Sequence, residues 1–280
     1  TTGAVTATLS TGAIGSFESL AGTGNAYNIS FTDTSNVSAS ALTALAEKTT
    51  NNIDAAAVTS VIGTSSQISE LLNQGNFNLS SLSTLNVSND ATSDASNLVS
   101  LLASEIAIDA SSLTSISGSV SDLSTLYAAN DITGLGNEAI SFASALSVSD
   151  ANTVSALTTG AVTAALSEGD MSTLAGLTET GNAYTVTVTD TSGVSASALT
   201  ALAGKTTVDV NASAVTSVTG SVSELTALYA ANDITGLGNE AVSLSETISV
   251  ANANTVSALT TAAVTAALSE GDMSTLAGLT

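Results

Sequence analysis

Residues 152–178 read NTVSALTTGAVTAALSEGDMSTLAGLT, and the same 27 letters return at residues 254–280 with one change, Gly160 to Ala262. The two copies lie 102 residues apart. Near-identity over this length predicts that one local structure is built twice, as in repeat proteins whose units stack on their neighbours. The sequence therefore predicts a repeating architecture in place of one globular core.

Strand segments recur between and around these copies. Tyr184, Val186 and Val188 alternate with threonines, and apolar residues at every second position predict a strand with one inward face. By the same alternation, further residues are expected to point inward: Val208, Val210, Val242 and Leu244.

Helical segments are the second recurring part. Apolar residues stand three apart in segments that begin at Ala196, Ala212 and Met171. Such spacing lines up on one face of one or two helical turns, and serine or aspartate before the segment is a helix start signal. Ser221 with Glu224, and Ser119 with Asp122, also fit a capping box.

The spacing of the strands predicts a repeat solenoid. Intervals of 22, 34, 21, 34, 46, 22 and 34 residues separate the strand centres, which lie near Phe31, Ile53, Val87, Ile108, Phe142, Val188, Val210 and Leu244. We expect a parallel β-strand ladder with one to three short helices per coil, and a 102-residue super-repeat made of coils of 22, 34 and 46 residues. The alternative is an all-β parallel β-helix, in which the Ser- and Thr-rich segments form bends.

The domain organisation follows from the same pattern. Residues 1–280 are expected to form a single continuous solenoid array. Free solenoids normally close both ends with atypical, polar units. Neither terminal segment reads as such a unit, so the chain is expected to be a fragment of a longer repeat protein.

Composition limits the partners. Two lysines against 24 acidic residues give a net charge of −22, which repels nucleic acid and anionic lipid heads. We therefore expect no nucleic-acid partner. Apolar runs stay short of the roughly 18 residues of a membrane span, so no membrane insertion is expected. Charged residues are only 9% of the chain, and a surface rich in neutral hydroxyl groups favours an extracellular or cell-surface location.

The residue types that carry most enzyme chemistry are missing. The sequence has no cysteine and no histidine, which excludes disulfides, thiolate metal sites and imidazole acid–base catalysis. Paired carboxylates could serve a glycosidase only from one shared cleft, and repeated carboxylates are spread along an array. We expect no enzyme activity, no catalytic residue and no bound organic cofactor.

Calcium is the one candidate ion. Hard oxygen ligands separated by glycine can bind it, and such residues recur at fixed places: Asp131, Glu138, Asp233, Glu240, Glu168 and Asp170. Their spacing matches neither the EF-hand loop nor the glycine-rich nonapeptide of β-rolls. The competing interpretation is that these residues are helix caps and turn residues.

Several phrases of the sequence resemble a known family. Residues 131–139 and 233–241 read Asp-Ile-Thr-Gly-Leu-Gly-Asn-Glu-Ala, residues 194–207 read VSASALTALAGKTT, and Tyr-Ala-Ala-Asn occurs twice. In these phrases the chain resembles the giant repeat-rich cell-surface proteins of marine picocyanobacteria, of the swimming-associated type. The resemblance implies a secreted, extended surface or matrix protein with many more repeats.

Two functions fit these observations. The first is a structural extracellular repeat protein that forms a rod or filament on the cell surface or in the matrix, through self-association or further repeats end to end. The alternative is an adhesin-type binding module that recognises a surface glycan or a protein and is stabilised by calcium.

Overall fold

Parallel strands alternate with short helices along residues 3–280, the part of the chain that the computed structural model describes. The paired strands run in the same direction in both halves of the chain. Helices of eight or nine residues, such as Ala39–Ala46 and Val222–Ala230, lie between them. The fold is therefore of the α/β class, and the all-β alternative is wrong because the Ser-led apolar segments form true helices.

The chain forms two compact units. The first contains the residues up to Ser141 together with Leu157–Gly160, and the second contains Phe142–Ala156 and Ala161–Thr280.

The first unit begins with short strands and a 3-10 helix, Ile14–Phe17. Its helices are α1 (Ala39–Ala46), α2 (Ser65–Asn73), α3 (Ala95–Leu102) and α4 (Val120–Ala128). Its strands are β1 (Thr6–Thr8), β2 (Ala26–Asn28), β3 (Val37–Ser38), β4 (Ile53–Asp54), β5 (Ser60–Gly63), β6 (Phe77–Asn78), β7 (Thr84–Val87), β8 (Ser93–Asp94), β9 (Ala107–Asp109), β10 (Ser115–Ser117), β11 (Ile132–Thr133) and β12 (Ala139–Ser141).

The second unit contains both copies of the repeated segment. Its helices are α5 (Val148–Ser155), α6 (Met171–Leu174), α7 (Ala196–Ala203), α8 (Val222–Ala230), α9 (Val250–Ser257) and α10 (Met273–Leu276). Its strands are β13 (Val162–Ala165), β14 (Ala183–Thr185), β15 (Val194–Ser195), β16 (Val210–Asn211), β17 (Ser217–Gly220), β18 (Ile234–Thr235), β19 (Ala241–Ile248) and β20 (Val264–Leu268).

Strand register stacks apolar residues on apolar residues. In the first unit Val61 pairs with Leu85, and Leu85 pairs with Ile108; each of these side chains is at most 1% exposed. In the second unit Val218 pairs with Val242 in the same way. A two- to four-residue strand cannot bury its apolar face alone, so this stacking supplies the core.

The paired positions recur at short and nearly even steps. Partners are 24 residues apart from Val37 to Val61, and 20 residues apart from Ala164 to Tyr184. Steps of 34 or 46 residues do not occur among these pairs. The predicted strand centre near Ile53 coincides with β4, whereas the two-residue strands β3 and β6, which are too short to show an alternating pattern, were missed. That residues 1–280 form one array within a longer protein stays a prediction.

Helix starts follow the sequence signals. Ser221 forms a reciprocal capping box with Glu224 at the start of α8, as predicted. The side chain of Ser119 caps α4 by accepting a hydrogen bond from the backbone of Asp122. No helix within residues 3–280 combines the length and the hydropathy that crossing a membrane requires.

One predicted helix is a turn. Two hydrogen bonds close a turn around Ala212. The side chain of Asn211 accepts from the backbone N–H of Ser213 at 3.0 Å. The N–H of Val215 donates to the backbone oxygen of Ala212 at 3.0 Å. The chain then enters β17, where Val218 pairs with both neighbouring strands. The valines, which branch at Cβ, favour this strand, whereas the leucines of α7, which do not branch at Cβ, favour a helix.

Alternating burial confirms the strand-like segment of residues 184–189. Tyr184, Val186 and Val188 are buried, while the threonines between them are exposed. β14 itself ends at Thr185, and the alternation continues through an isolated bridge from Thr187 to the next segment. The prediction that Val208 points inward is wrong. Its side chain is 37% exposed because the residue lies in the bend before β16.

We expect Val188→Asp to lower the free energy of unfolding by about 3–5 kcal/mol, because it places an unpaired charge where the native side chain is 0% exposed. The matched control is Thr187→Asp, next to it on the exposed face, with a loss below about 1 kcal/mol. Urea unfolding of both variants measures the difference. Equal losses would show that the two faces are assigned wrongly.

Candidate functional site

Two buried glutamates are the most unusual charged groups of the molecule. Glu138 and Glu240 are each 0% exposed, although carboxylates are almost never fully buried without partners. Each ends a Gly-Leu-Gly-Asn-Glu loop, which joins β11 to β12 in the first unit and β18 to β19 in the second. The sequence repeat thus places one such loop in each compact unit.

The carboxylate of Glu138 is held by a tyrosine and by its own loop. The hydroxyl of Tyr127 donates a hydrogen bond to its Oε2 atom at 2.5 Å, and the backbone N–H of Gly136 lies 3.0 Å from both carboxylate oxygens. The hydroxyl of Thr158 donates to the backbone oxygen of Glu138 at 2.7 Å. These bonds replace the water that burial removes.

The second loop repeats this arrangement. Tyr229 donates to Glu240 Oε2 at 2.8 Å, and the N–H of Gly238 lies 2.9 Å from both oxygens. The N–H of Asn239 adds a bond of 3.2 Å, and Thr260 donates to the backbone oxygen of Glu240 at 2.6 Å. Equal partners in two separate units indicate that the arrangement is part of the repeat.

Glycine is required where each loop leaves its strand. Gly134 has φ +86°, and a Cβ there would lie 2.5 Å from Ser111 Cα. Gly236 has φ +89°, with Ser213 N at 2.6 Å from the same position. The left-handed backbone and the close approach both exclude a side chain, so the loop turns back far enough for its N–H to reach the glutamate.

The chemistry of the site is that of a structural clamp. Burial raises the pKa of the phenol of Tyr127 and of Tyr229 above its ordinary range, and the hydrogen bond to the neighbouring glutamate raises it further. A phenol with a raised pKa stays protonated at neutral pH and continues to donate its hydrogen bond. The arrangement therefore anchors the loop to the helix that carries the tyrosine.

The calcium candidates around these loops have different surroundings. Asp131 and Asp233 are exposed, whereas Glu138 and Glu240 are buried and face a tyrosine hydroxyl and a glycine N–H. Each glutamate oxygen is thus already an acceptor of protein hydrogen bonds, and an ion there would have to replace those donors.

Glu168 and Asp170 make separate hydrogen bonds around α6. Asp170 caps this helix by accepting from the N–H and the hydroxyl of Thr173, both at 2.9 Å. The hydroxyl of Ser172 is the largest cause that lowers the pKa of Asp170. Glu168 accepts from the N–H of Val148 at 3.1 Å, which ties α5 to the end of β13.

The second copy repeats this pair of roles. Asp272 caps α10, and the hydroxyl of Ser274, followed by the N–H of Thr275, lowers the pKa of Asp272 to about 2. Glu270 accepts from the N–H of Val250 at 3.2 Å. Within residues 3–280 no group of three or more acidic, histidine or cysteine side chains could hold a metal ion. Calcium binding stays a prediction.

Sequence reasoning missed the tyrosines. Tyr127 precedes Glu138 by 11 residues, and Tyr229 precedes Glu240 by the same distance. The signal was present, because Tyr-Ala-Ala-Asn recurs before both loops. It could not be interpreted without the register that brings the helix end against the loop.

No protein-family model matches the chain, and no curated protein is similar enough to count as a match.

We expect Tyr127→Phe to lower the free energy of unfolding by about 1–3 kcal/mol, because the buried carboxylate of Glu138 loses a donor that water cannot replace. Tyr229→Phe should act in the same direction in the second unit. Tyr27→Phe is the matched control, since this ring is only half-buried, and a change below about 0.5 kcal/mol is expected. Chemical denaturation compares them, and equal effects at all three tyrosines would contradict the clamp.

Stability should also fall at alkaline pH. The folded pKa of Tyr127 and Tyr229 lies above that of the unfolded chain, so their stabilisation is complete below about pH 10 and is lost as the pH rises toward the folded pKa. Each tyrosine contributes a slope of up to about 1.4 kcal/mol per pH unit in that window. Denaturation between pH 9 and 12 measures this slope. The double variant with phenylalanine at both positions should show a shallower one, and an unchanged slope would contradict the prediction.

Proposed function

We propose that this chain is a structural, non-enzymatic repeat protein that forms a rod or filament outside the cell. The observation that carries the proposal is the repeated segment: residues 152–178 and 254–280 form the same helix, strand and short helix. An array grows by repeating a whole set of elements, whereas a single binding or catalytic cleft would not require such repetition.

The fold supports a solenoid as the basis of the rod. Parallel partners 20–24 residues apart are what successive coils produce, with one or more strands and a helix in each coil. At 20–24 residues a coil, the 102-residue repeat holds more than four coils and about five at most. Each added coil lengthens such a body by one strand spacing, about 4.8 Å.

The surface supports an extracellular location. The net charge of −22 keeps copies soluble by repulsion, and most polar residues are neutral Ser, Thr and Asn. The resemblance to repeat-rich surface proteins of marine picocyanobacteria points to the same place. Further repeats or further copies, joined end to end, would be the partners.

A binding module is the second candidate, and one groove favours it. A cavity of about 530 Å³ opens between the 3-10 helix and α1, and it is lined by both polar and apolar residues that include Phe17, Ser40 and Lys48. An adhesin would use such a groove for a glycan or a peptide. Binding to a glycan array with and without calcium tests this candidate, and saturable binding that Lys48→Ala removes would favour it over the rod.

Lengthening the array tests the rod. A variant with a second copy of residues 153–254 inserted after residue 254 gains 102 residues at an identical junction. X-ray scattering should show a maximum dimension longer by about 20–25 Å, four to five strand spacings, with an unchanged cross-section. Growth of the cross-section would contradict the rod. Electron micrographs of the native material should show fibres of the same width.

A further inference from the structure

The groove between the 3-10 helix and α1 has an equivalent position in the second unit, between α6 and α7. The eight residues of α1, ASALTALA, return as α7, 157 residues later. The N–H of Ile14 donates to Asp33, and the N–H of Met171 donates to Asp190, both at 2.6 Å. The two places therefore share one local arrangement, and the residues that differ between them give the groove its character.

Only one wall of the groove differs between the units. Six lining residues belong to α1 or lie next to its ends, and each has the same residue type at the equivalent position of the second unit. The other four lining residues form the opposite wall, and all of them differ from the second unit: Ile14, Gly15, Phe17 and Glu18. One of these changes introduces a charge, because Glu18 stands at the position of Ala175.

The changed wall also lacks the cap of its equivalent. Asp170 caps α6 by accepting from the N–H of Thr173, whereas Ala13 stands at that position and makes no side-chain hydrogen bond to the 3-10 helix. Gly15 stands where Ser172 donates to Asp170 at 2.7 Å. The wall is thus an uncapped turn with no side chain at Gly15.

The shared wall is equally open in both units. Ala41 and Ala198 are half-buried, and Ala44 and Ala201 are exposed. The helix that precedes α6 in the second unit, α5, leaves this wall as open as it is in the first. The character of the groove therefore depends on the four residues of the opposite wall.

The groove combines two opposite charges with an apolar base. Glu18 lies on the changed wall, and Lys48 lies just beyond the end of α1. Phe17 and Leu45, which also line the groove, are 6% and 4% exposed. The volume of about 530 Å³ falls within the range of about 300–1,000 Å³ that is typical of small-molecule sites.

The second unit shows what this lysine binds. Lys205 Nζ donates to the backbone oxygen of Thr178 at 2.9 Å. In the first unit the equivalent Lys48 lines the groove, where its ammonium group can donate to an oxygen of a ligand in the same way. The hydroxyls of Ser38 and Ser40, 3.0 Å apart, add hydrogen-bonding groups to this wall.

We propose that the groove binds a short zwitterionic peptide, with the ligand carboxylate on Lys48, its ammonium group on Glu18 and an apolar side chain against Phe17. A zwitterion is neutral overall, so the net charge of −22 does not repel it as it repels an anion. The site rests on the second candidate function, the binding module, and names its ligand class. The rod does not depend on it.

Calorimetric titration with L-leucyl-L-leucine tests the proposal, and saturable binding at one site is expected. N-acetyl-L-leucyl-L-leucine amide keeps the apolar groups but lacks both charges, and it should bind at least roughly tenfold more weakly. Lys48→Met and Glu18→Gln should each lower the affinity for the dipeptide by roughly tenfold. Lys205→Met is the matched control and should leave the affinity unchanged.

A graft tests the changed wall with a sequence that the fold already contains. Residues 13–18, AIGSFE, are replaced by DMSTLA, the sequence of residues 170–175. The graft restores the cap, so its urea midpoint should equal or exceed that of the parent, while dipeptide binding should fall at least roughly tenfold.

Three results would overturn the site: equal affinity for the blocked dipeptide, unchanged binding by Lys48→Met, or a graft that binds as well as the parent. Glycan binding without dipeptide binding would overturn the ligand class and leave the binding module standing. Absence of both would overturn the module as well, whereas the scattering experiment tests the rod separately.

Discussion

The constraint on which this structure depends is that no strand can bury its own apolar face. Most strands have two to four residues, too few for a core of their own. Val61 on Leu85, and Leu85 on Ile108, show the solution, in which each segment buries its inward residue against the next. Small aliphatic side chains suit this arrangement because the layers lie only about 4.8 Å apart.

The buried glutamates solve a second problem of such stacking. A loop that leaves the ladder must turn sharply and return in register, and Gly134 allows the turn. The carboxylate of Glu138 then joins the loop backbone to Tyr127 on the preceding helix. The hydrogen bonds from the loop and the tyrosine offset the cost of burying this carboxylate, because every partner is supplied locally.

The repeat, the α/β class and the helix starts could be predicted from the sequence. The helix starts were predictable because capping residues such as Ser221 and Asp170 bond to groups only three residues further along the chain. The strand spacing was predicted less well, because two-residue strands such as β3 and β6 are too short to show alternation. The segment at Ala212 has helical spacing, but it forms a turn at Val215 and Val218 pairs across strands. The tyrosine clamp lay beyond prediction because it depends on contacts set by register.

The near-identical stretches at residues 152–178 and 254–280 also bear on inheritance. Each stretch starts and stops at the same points of helix, strand and short helix. Recombination between the two coding segments, at any shared position, deletes or duplicates 102 residues without cutting a structural element. Descendant genes can thus change the number of repeats in whole steps, and selection can act on protein length while the order of helix, strand and short helix is conserved.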